Sequence, residues 1–289
     1  MAEEYKIAII GAGPGGLGAA SNCAYHGISH ILFEKREIGN TVYDYQLKKH
    51  VMAEPAKLPL RSHIQFEAGT REQVLQTWNQ GVESLGVNLR KAEVLSIKKE
   101  GERFLIGCSV GTVYADSVIL SIGMQGTPRK LGVPGDDSSH VAYTLADPEA
   151  LADLDIVVVG AGDAAIENAL ALIENNRVSI VNRGDEFARA KDANNSSILK
   201  AIEAGKLRCF YNSSTKAVTP EFVVIDTPDG EVQIKCDHLI ARIGAIMPRK
   251  FLEQCGIQFS HNGPEALPLV DQNFQSNIEG LYIIGALVG

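Results

Sequence analysis

The chain has 289 residues, which is enough for one large domain or for two domains of ordinary size. Apolar residues make up 45% and charged residues 21%, a balance typical of folded globular proteins. The net charge of −8 disfavours nucleic acid or an anionic membrane surface as the main partner. We see no apolar stretch of membrane-spanning length and no charged-then-apolar leader, so we expect a cytoplasmic protein.

The first half of the chain begins with a strand–helix–strand pattern. An apolar strand over residues 6–11 precedes an Ala-rich helix over residues 14–26 and a second strand over His30–Glu34. Residues 40–66 are irregular and rich in Pro, Lys and His, and a loop of that length is expected to wrap a ligand. Next, Thr70 and Gln73 form a capping box that opens an amphipathic helix. The remaining predicted elements are a strand over 87–91, a hairpin of 94–98 with 104–108, and a strand over 114–123.

The second half repeats this organisation after a turn-rich crossover at residues 126–135. A strand over 156–159, a turn and helix over 160–173 and a strand over 178–181 form the second strand–helix–strand unit. The remaining predicted elements are a hairpin of 222–225 with 232–234, a strand over 238–244 and a strand over 281–285. Because the chain stops directly after this last strand, we expect the natural polypeptide to continue with a helix that covers the sheet.

A glycine-rich turn, Gly-Ala-Gly-Pro-Gly-Gly at residues 11–16, follows the first strand. In this pattern Gly11 permits the tight turn, Gly13 lets the backbone approach a pyrophosphate, and Gly16 lets helix and strand pack closely. The helix N-terminus offers N–H groups and a partial positive charge to the phosphates. Glu34 ends the next strand, at about the 20-residue spacing expected of a carboxylate that accepts hydrogen bonds from ribose hydroxyls.

A second such turn, Gly-Ala-Gly-Asp-Ala-Ala at residues 160–165, follows the strand over 156–159. Two fingerprints in one chain predict a protein that holds two dinucleotides and passes electrons between them. The second strand of this unit ends at Asn182 rather than at an acid, and Arg183, Arg189 and Lys191 follow. Positive charge there favours the 2′-phosphate of NADPH over NADH. The alternative is a solvated basic loop that neighbouring carboxylates partly neutralise.

These motifs carry a resemblance to a known group of flavoproteins. The additional Gly15, the sequence Phe-Glu-Lys at 33–35, Ser-Ile-Gly at 121–123 and the segment 277–285 resemble the glutathione-reductase and thioredoxin-reductase group. The resemblance implies an α/β fold of two Rossmann-like, three-layer dinucleotide-binding domains, the second inserted into the first. It also implies FAD, a nicotinamide nucleotide and a homodimer. The last motif of the group normally ends in Gly-Asp, and Ala286 takes the place of that Asp here.

Within that group, the chain is most similar to the bacillithiol-disulfide reductase branch. The segments Val-Tyr-Asp-Tyr at 42–45 and Lys57-Leu58 resemble its flavin-proximal loop. That branch carries a cysteine where this chain has Gly15, so the thiol proposed to act on the disulfide is missing. The resemblance therefore supports the fold and the cofactors better than it supports that substrate.

The resemblance and the two fingerprints together assign domains and site residues. We predict an FAD-binding domain over residues 1–140 and 247–289, lacking its C-terminal helix, and an NAD(P)-binding domain over residues 141–246. The predicted FAD residues are Gly11, Gly13, Pro14, Gly15, Gly16, Glu34, Lys35, Tyr43, Tyr45, Val94, Ser121, Gly123 and Gly285. The predicted NADP residues are Gly160, Gly162, Asp163, Ala164, Ala165, Asn182, Arg183, Arg189, Lys191, Ile243 and Gly244.

The five cysteines are widely scattered and form neither a C-x-x-C pair nor a zinc-type cluster. We therefore expect no metal site and no thiol relay, so that the flavin faces the electron acceptor directly. That acceptor could be a small disulfide, a quinone, an iron–sulfur or flavin protein, or oxygen. Lys48, Lys49 and His50 in the flavin-proximal loop are candidate proton donors, the alternative being surface charge. Two other functions stay open: a flavin monooxygenase-like activity, and a nucleotide-binding redox sensor attached to a further domain.

Overall fold

The computed structural model describes residues 2–53, 60–124 and 127–288. Lys57-Leu58 of the flavin-proximal loop and the first residue of the crossover lie outside these ranges. The helices are α1 Pro14–Tyr25, α2 Asn40–Tyr43, α3 Arg71–Ser84, α4 Asp163–Leu172, α5 Asp192–Glu203 and α6 Arg249–Gln254, with 3₁₀ turns at Pro148–Ala150 and Gly285–Leu287. The strands are β1 Glu3–Ile10, β2 His30–Glu34, β3 His50–Val51, β4 Gly69–Thr70, β5 Leu89–Lys91, β6 Val94–Glu100, β7 Arg103–Cys108, β8 Gly111–Leu120, β9 Thr127–Pro128, β10 Val141–Ala142, β11 Asp155–Val159, β12 Arg177–Val181, β13 Leu207–Phe210, β14 Ser214–Val218, β15 Phe222–Thr227, β16 Gly230–Lys235, β17 His238–Ala241, β18 Ala245–Ile246 and β19 Leu281–Ile283.

The chain forms two compact units. The first contains residues 1–43, 48–127 and 246–289, and the second contains residues 44–47 and 128–245. The two units differ from the predicted domains at three places: residues 128–140 and the four-residue segment Asp44–Leu47 belong to the second unit, and Ile246 belongs to the first. The segment is held there by hydrogen bonds from the Leu47 N–H to the Ala146 carbonyl and from the Asn168 amide to Gln46. Such long-range contacts leave no periodic signal in the sequence.

A mixed sheet in the order β5-β2-β1-β8-β7-β6 forms the centre of the first unit. The strands β1, β2, β5, β8 and β19 pair in parallel, whereas β6, β7 and β8 pair antiparallel. Parallel pairing requires crossover connections, which α1 and α3 supply. Alternate residues Ala8 and Ile10 of β1 belong to a buried cluster with Phe104 and Ile106 of β7. The predicted βαβ start, the 94–108 hairpin and the returning last strand are all present.

The second unit has three layers. Its parallel sheet has the order β10-β17-β11-β12-β13, and β14, β15 and β16 form an antiparallel sheet. Ile156 and Val158 of β11 pack into a core cluster with residues of α4 and α5, while Val157 and Val159 join a cluster with residues of the antiparallel sheet. This alternation follows from the period of two along a strand that is buried on both faces. The predicted fold class is confirmed.

Candidate active site

The first glycine-rich turn has the geometry of a phosphate cradle. Gly11 has a φ of +99°, and a Cβ there would lie 2.5 Å from the Ser121 carbonyl oxygen. A Cβ on Gly16 would lie 1.8 Å from the Gly11 oxygen, so both positions exclude a side chain. A Cβ on Gly13, in contrast, would meet no atom within 4 Å. Gly13 is the N-cap residue of α1 and supplies no side-chain cap, so the first free N–H groups of the helix are available to a ligand at this open side. The turn therefore fits the pyrophosphate of a dinucleotide.

Glu34 lies beside this turn at the carboxyl end of β2. Its Oε2 accepts a hydrogen bond from the Ala12 N–H at 2.8 Å, and its Oε1 accepts one from the Arg36 N–H at 2.9 Å. The two backbone donors fix the carboxylate next to the glycine turn, and its remaining lone pairs can accept hydrogen bonds from ribose hydroxyls. The predicted role of Glu34 is consistent with this position.

The other residues predicted for the first site lie on different secondary-structure elements and loops. Lys35 is exposed and forms an ion pair with Glu93, and Tyr43 ends α2 beneath the Arg71 guanidinium, 4.9 Å from its ring centroid. Val94 begins β6. Gly123 and Gly285 both have positive φ angles and follow the ends of β8 and β19. Tyr45 differs from these because it lies in the second unit.

The second glycine-rich turn repeats the geometry of the first. Gly160 has a φ of +137°, and a Cβ there would lie 2.4 Å from the Arg242 carbonyl oxygen. A Cβ on Gly162 would meet nothing within 4 Å, and Gly162 is the N-cap residue of α4 and supplies no side-chain cap. Ala165 is fully buried, and its methyl group lies 3.2 Å from the position that a Cβ on Gly160 would take. This turn also offers helix N–H groups to a phosphate.

Two polar residues predicted to bind NADP, Asp163 and Asn182, shape the loop that follows β12. Asp163 Oδ1 accepts hydrogen bonds from the Lys191 N–H at 2.9 Å and from the Asn194 amide at 2.8 Å. The buried Asn182 side chain accepts from the Gly184 N–H and donates to the Glu186 carbonyl, both at 2.9 Å. Asn182 therefore uses both ends of its amide within the loop. The predicted nucleotide contacts of these two residues stay predictions.

The basic residues of the loop over 183–191 are exposed. Neither Arg183 nor Arg189 has an ion-pair partner among the described residues. Because Asn182 and Asp163 hold the loop backbone, the arginine side chains are not needed to shape it. Ala164 lies in the first turn of α4, and Ile243 and Gly244 follow β17, at the same carboxyl edge of the parallel sheet as the glycine turn.

Comparison with known proteins identifies the family of the chain that carries these two glycine-rich turns. Residues 8–285 match the model of the pyridine nucleotide-disulphide oxidoreductases. The chain belongs to that family. A ferredoxin–NADP reductase of Ignicoccus hospitalis is 30% identical over 96% of this chain and 88% of its own length. The bacilliredoxin reductase Bdr of Bacillus subtilis is 26% identical over 99% of the chain and 90% of its own length.

A solved structure supports the same fold. The bacillithiol disulfide reductase Bdr of Staphylococcus aureus superposes with a TM-score of 0.90 at 24% identity, covering 99% of this chain and 91% of that one. As a pyridine nucleotide-disulphide oxidoreductase, the protein is an NAD(P)H-dependent flavoprotein enzyme that uses FAD and a pyridine nucleotide. Within the described ranges, none of the helices combines the length and apolar character that crossing a bilayer requires.

The sequence analysis did not single out Arg242, a partly buried charged residue whose carbonyl oxygen lies next to Gly160 of the second glycine turn. Arg242 follows β17 directly, and its Nη1 donates to the Tyr143 carbonyl at 2.7 Å. Burial lowers the pKa of Arg242, and the nearby Glu167, Tyr45 and Asp44 partly offset that effect. A charged residue at the end of an apolar strand, immediately before Ile243 and Gly244, was the signal that could have identified it.

The candidate proton donors Lys48, Lys49 and His50 lie next to the start of α3. The Lys48 N–H lies 3.3 Å from both carboxylate oxygens of Glu72, the Lys49 carbonyl accepts from the Arg71 N–H, and His50 pairs with Thr70 in a two-stranded ladder. Lys48, Lys49 and His50 thus belong to one local structure, and their catalytic role stays a prediction.

The described residues contain no group of three or more His, Cys, Asp or Glu side chains that could hold a metal ion.

The cysteines of the enzyme form no disulfide, and four of their thiols have raised pKa values. All five cysteines are free, and four of them are buried. Burial raises the pKa of Cys23, brings the pKa of Cys209 and of Cys255 to about 11, and brings that of Cys236 to about 12. A thiol whose pKa is this high carries almost no thiolate near neutral pH and is a poor nucleophile.

Proposed function

We propose that this oxidoreductase takes hydride from NADPH and delivers electrons from its flavin directly to a separate acceptor, without a protein disulfide as intermediate. The observation that carries the proposal is the state of the cysteines. They are scattered and free, so none has the disulfide partner that a relay requires, and burial raises the pKa of four of them, Cys23, Cys209, Cys236 and Cys255, which disfavours their thiolates. When bound, FAD supplies the chemistry that accepts hydride from a nicotinamide and passes electrons onward.

The protein itself contributes binding and orientation. The glycine turn at α1, with Glu34, would hold FAD, and the glycine turn at α4 would hold the pyridine nucleotide. The exposed arginines 183 and 189 support NADPH over NADH because an arginine–phosphate hydrogen bond contributes about 1.5–3 kcal/mol. The end of β12 is followed by the neutral Asn182, so no carboxylate at that position repels a 2′-phosphate.

We propose a ferredoxin-like iron–sulfur protein as the acceptor class. The 30% identical relative is named a ferredoxin–NADP reductase, and one-electron acceptors need no thiol on the enzyme. A small disulfide is the second candidate, supported by the similarity to the two Bdr proteins. Gly15 disfavours a small disulfide as the acceptor, because it leaves no thiol at that position of the glycine turn. We further propose a cytoplasmic homodimer, on the basis of the reduced cysteines and the family resemblance.

The decisive experiment is an anaerobic titration of the purified protein. We expect a yellow protein whose flavin absorbance at about 450 nm is bleached by NADPH faster than by NADH. The reduced flavin should then be reoxidised by a ferredoxin faster than by a small aromatic disulfide or a quinone. A colourless protein that cannot be reconstituted with FAD would contradict the assignment. Tight NADPH binding without turnover on any acceptor would favour the redox-sensor alternative.

A second measurement tests the absence of a thiol relay. Alkylation of the native protein with N-ethylmaleimide should leave the rate of ferredoxin reduction unchanged, because four of the five thiols are protected by burial. Mass spectrometry of the treated protein counts the modified cysteines. Loss of turnover in step with one alkylated cysteine would show that a thiol takes part.

A further inference from the structure

An exposed turn of the first unit contains Asn262-Gly263, the single Asn-Gly pair of the chain. Phe259 and Pro268 form an antiparallel bridge on either side of this turn. Asn-Gly is a turn dipeptide. It is also the dipeptide in which the following backbone nitrogen attacks the asparagine side chain most readily, because glycine has no Cβ to obstruct the approach.

His261 contacts the nitrogen that such an attack would use. Its Nδ1 accepts a hydrogen bond from the Gly263 N–H at 3.0 Å. An imidazole nitrogen that accepts an N–H is unprotonated and can act as a base. The Glu265 Oε1 lies 3.8 Å from the same Nδ1, so its charge favours the imidazolium that forms when His261 takes up a proton.

Arg249 holds the backbone on both sides of Asn262. Its guanidinium donates one hydrogen bond to the His261 carbonyl and another to the Gly263 carbonyl. A Cβ on Gly263 would lie 2.9 Å from the His261 Cε1, so the imidazole ring lies directly beside the glycine. The Asn262 side chain itself is exposed and makes no hydrogen bond within the described ranges. It can therefore rotate until its amide carbon reaches the Gly263 nitrogen.

We propose that Asn262 is a site of deamidation that the chain itself promotes, with His261 as the base. The His261 Nδ1 removes the proton of the Gly263 N–H, the freed nitrogen forms a bond to the Asn262 amide carbon, and the bond from that carbon to the NH₂ group breaks. The proton held by His261 passes to the leaving nitrogen, which departs as ammonia. Position 262 is then part of a five-membered succinimide ring.

Water opens this ring at either carbonyl and leaves aspartate or isoaspartate at position 262. No atom changes its oxidation state, so the reaction needs water alone. Either product adds a negative charge to the turn. Isoaspartate also inserts an extra backbone carbon between the His261 and Gly263 carbonyls, which Arg249 holds at a fixed separation.

The test follows the conversion of Asn262 in the full chain, kept folded in a neutral buffer. Peptide mapping by mass spectrometry, with chromatographic separation of the isoaspartyl peptide, gives the rate. Asn273 is the internal control, because it is also exposed but precedes a phenylalanine, and it should stay intact over the same period. We expect His261→Ala to slow the conversion of Asn262 by about tenfold or more, since the base is removed.

The same measurement in urea separates the folded geometry from the sequence. In the unfolded chain the imidazole is no longer held against the Gly263 nitrogen, so the wild type and His261→Ala should agree within about twofold. If His261→Ala does not fold, His261→Gln keeps an acceptor for the Gly263 N–H without a base and should show the same loss. An Asn262 that stays intact in the folded wild type, or a folded His261→Ala or His261→Gln that deamidates as fast or faster, would overturn the inference. A faster variant would mean that the hydrogen bond shields the Gly263 nitrogen.

Discussion

At the scale of single residues, nucleotide preference is expected to depend on the two arginines of the loop over 183–191. Their side chains are exposed and have no ion-pair partner within the described ranges, while Asn182 shapes the loop through its own hydrogen bonds. The double variant Arg183→Ala and Arg189→Ala should therefore fold normally. We expect its KM for NADPH to rise at least about 10- to 100-fold, because a single lost arginine–phosphate contact costs about 1.5–3 kcal/mol and a second lost contact adds to that cost.

The KM for NADH provides the internal comparison for that variant, since NADH lacks the 2′-phosphate. It should change by less than about threefold if the arginines act on the phosphate alone. Lys200→Ala on α5 removes an exposed charge outside the loop and is the control for net charge. Equal losses for NADPH and NADH would show that the arginines act on binding in general and not on the 2′-phosphate.

At the scale of secondary structure, α3 depends on a capping box at its N-terminus. The Thr70 hydroxyl accepts from the Gln73 N–H at 3.3 Å, and the Gln73 side chain accepts from the Thr70 N–H at 2.8 Å. Thr70→Ala leaves the Gln73 N–H to water and should lower the free energy of unfolding by about 1 kcal/mol. Urea unfolding followed by the fluorescence of Trp78, the single tryptophan and a buried residue of α3, measures the change. Gln76→Ala on the exposed side of the same helix should be neutral, and a similar loss in both variants would contradict a capping effect.

The elements also show how far sequence reasoning reaches. The capping box, the two strand–turn–helix fingerprints and the hairpin of β6 and β7 were predictable because each depends on neighbours within a few residues. The helix α5 was missed, since its first six residues include Asp192, two asparagines and two serines and only Ile198 and Ala201 are buried. The position of Tyr45 in the second unit was also not predictable. It depends on contacts of Gln46 and Leu47 with residues about 100 positions away, which local patterns do not encode.

At the scale of the whole molecule, the acid stability of the second unit should depend on a charge cluster at the amino end of its parallel sheet. Asp155 begins β11, and its carboxylate accepts two hydrogen bonds from Arg177, at 2.8 and 3.0 Å, and one from Lys235 at 2.8 Å. These partners lower the pKa of Asp155 to about 2. Its side chain is 19% exposed, so solvent screens the pairs only in part.

The direction of the pH dependence follows from the two protonation states. In the unfolded chain an aspartate has a pKa of about 3.9, so between that value and about 2 the folded protein binds fewer protons than the unfolded one. The stabilisation is therefore complete above about pH 5 and is lost as the pH falls towards 2. Asp155→Asn should cost about 1–2 kcal/mol of unfolding free energy at pH 7 and only about 0.4 kcal/mol or less at pH 2, where about half of the folded-state carboxylate is protonated. Because Trp78 belongs to the first unit, urea unfolding followed by far-UV circular dichroism or by amide exchange in β11 and β17 is the appropriate measurement. Asp229→Asn, in the exposed turn between β15 and β16, should change neither curve. A deficit in Asp155→Asn that stays the same from pH 7 to pH 2 would mean that packing or backbone contacts of Asp155, and not its charge, stabilise the unit.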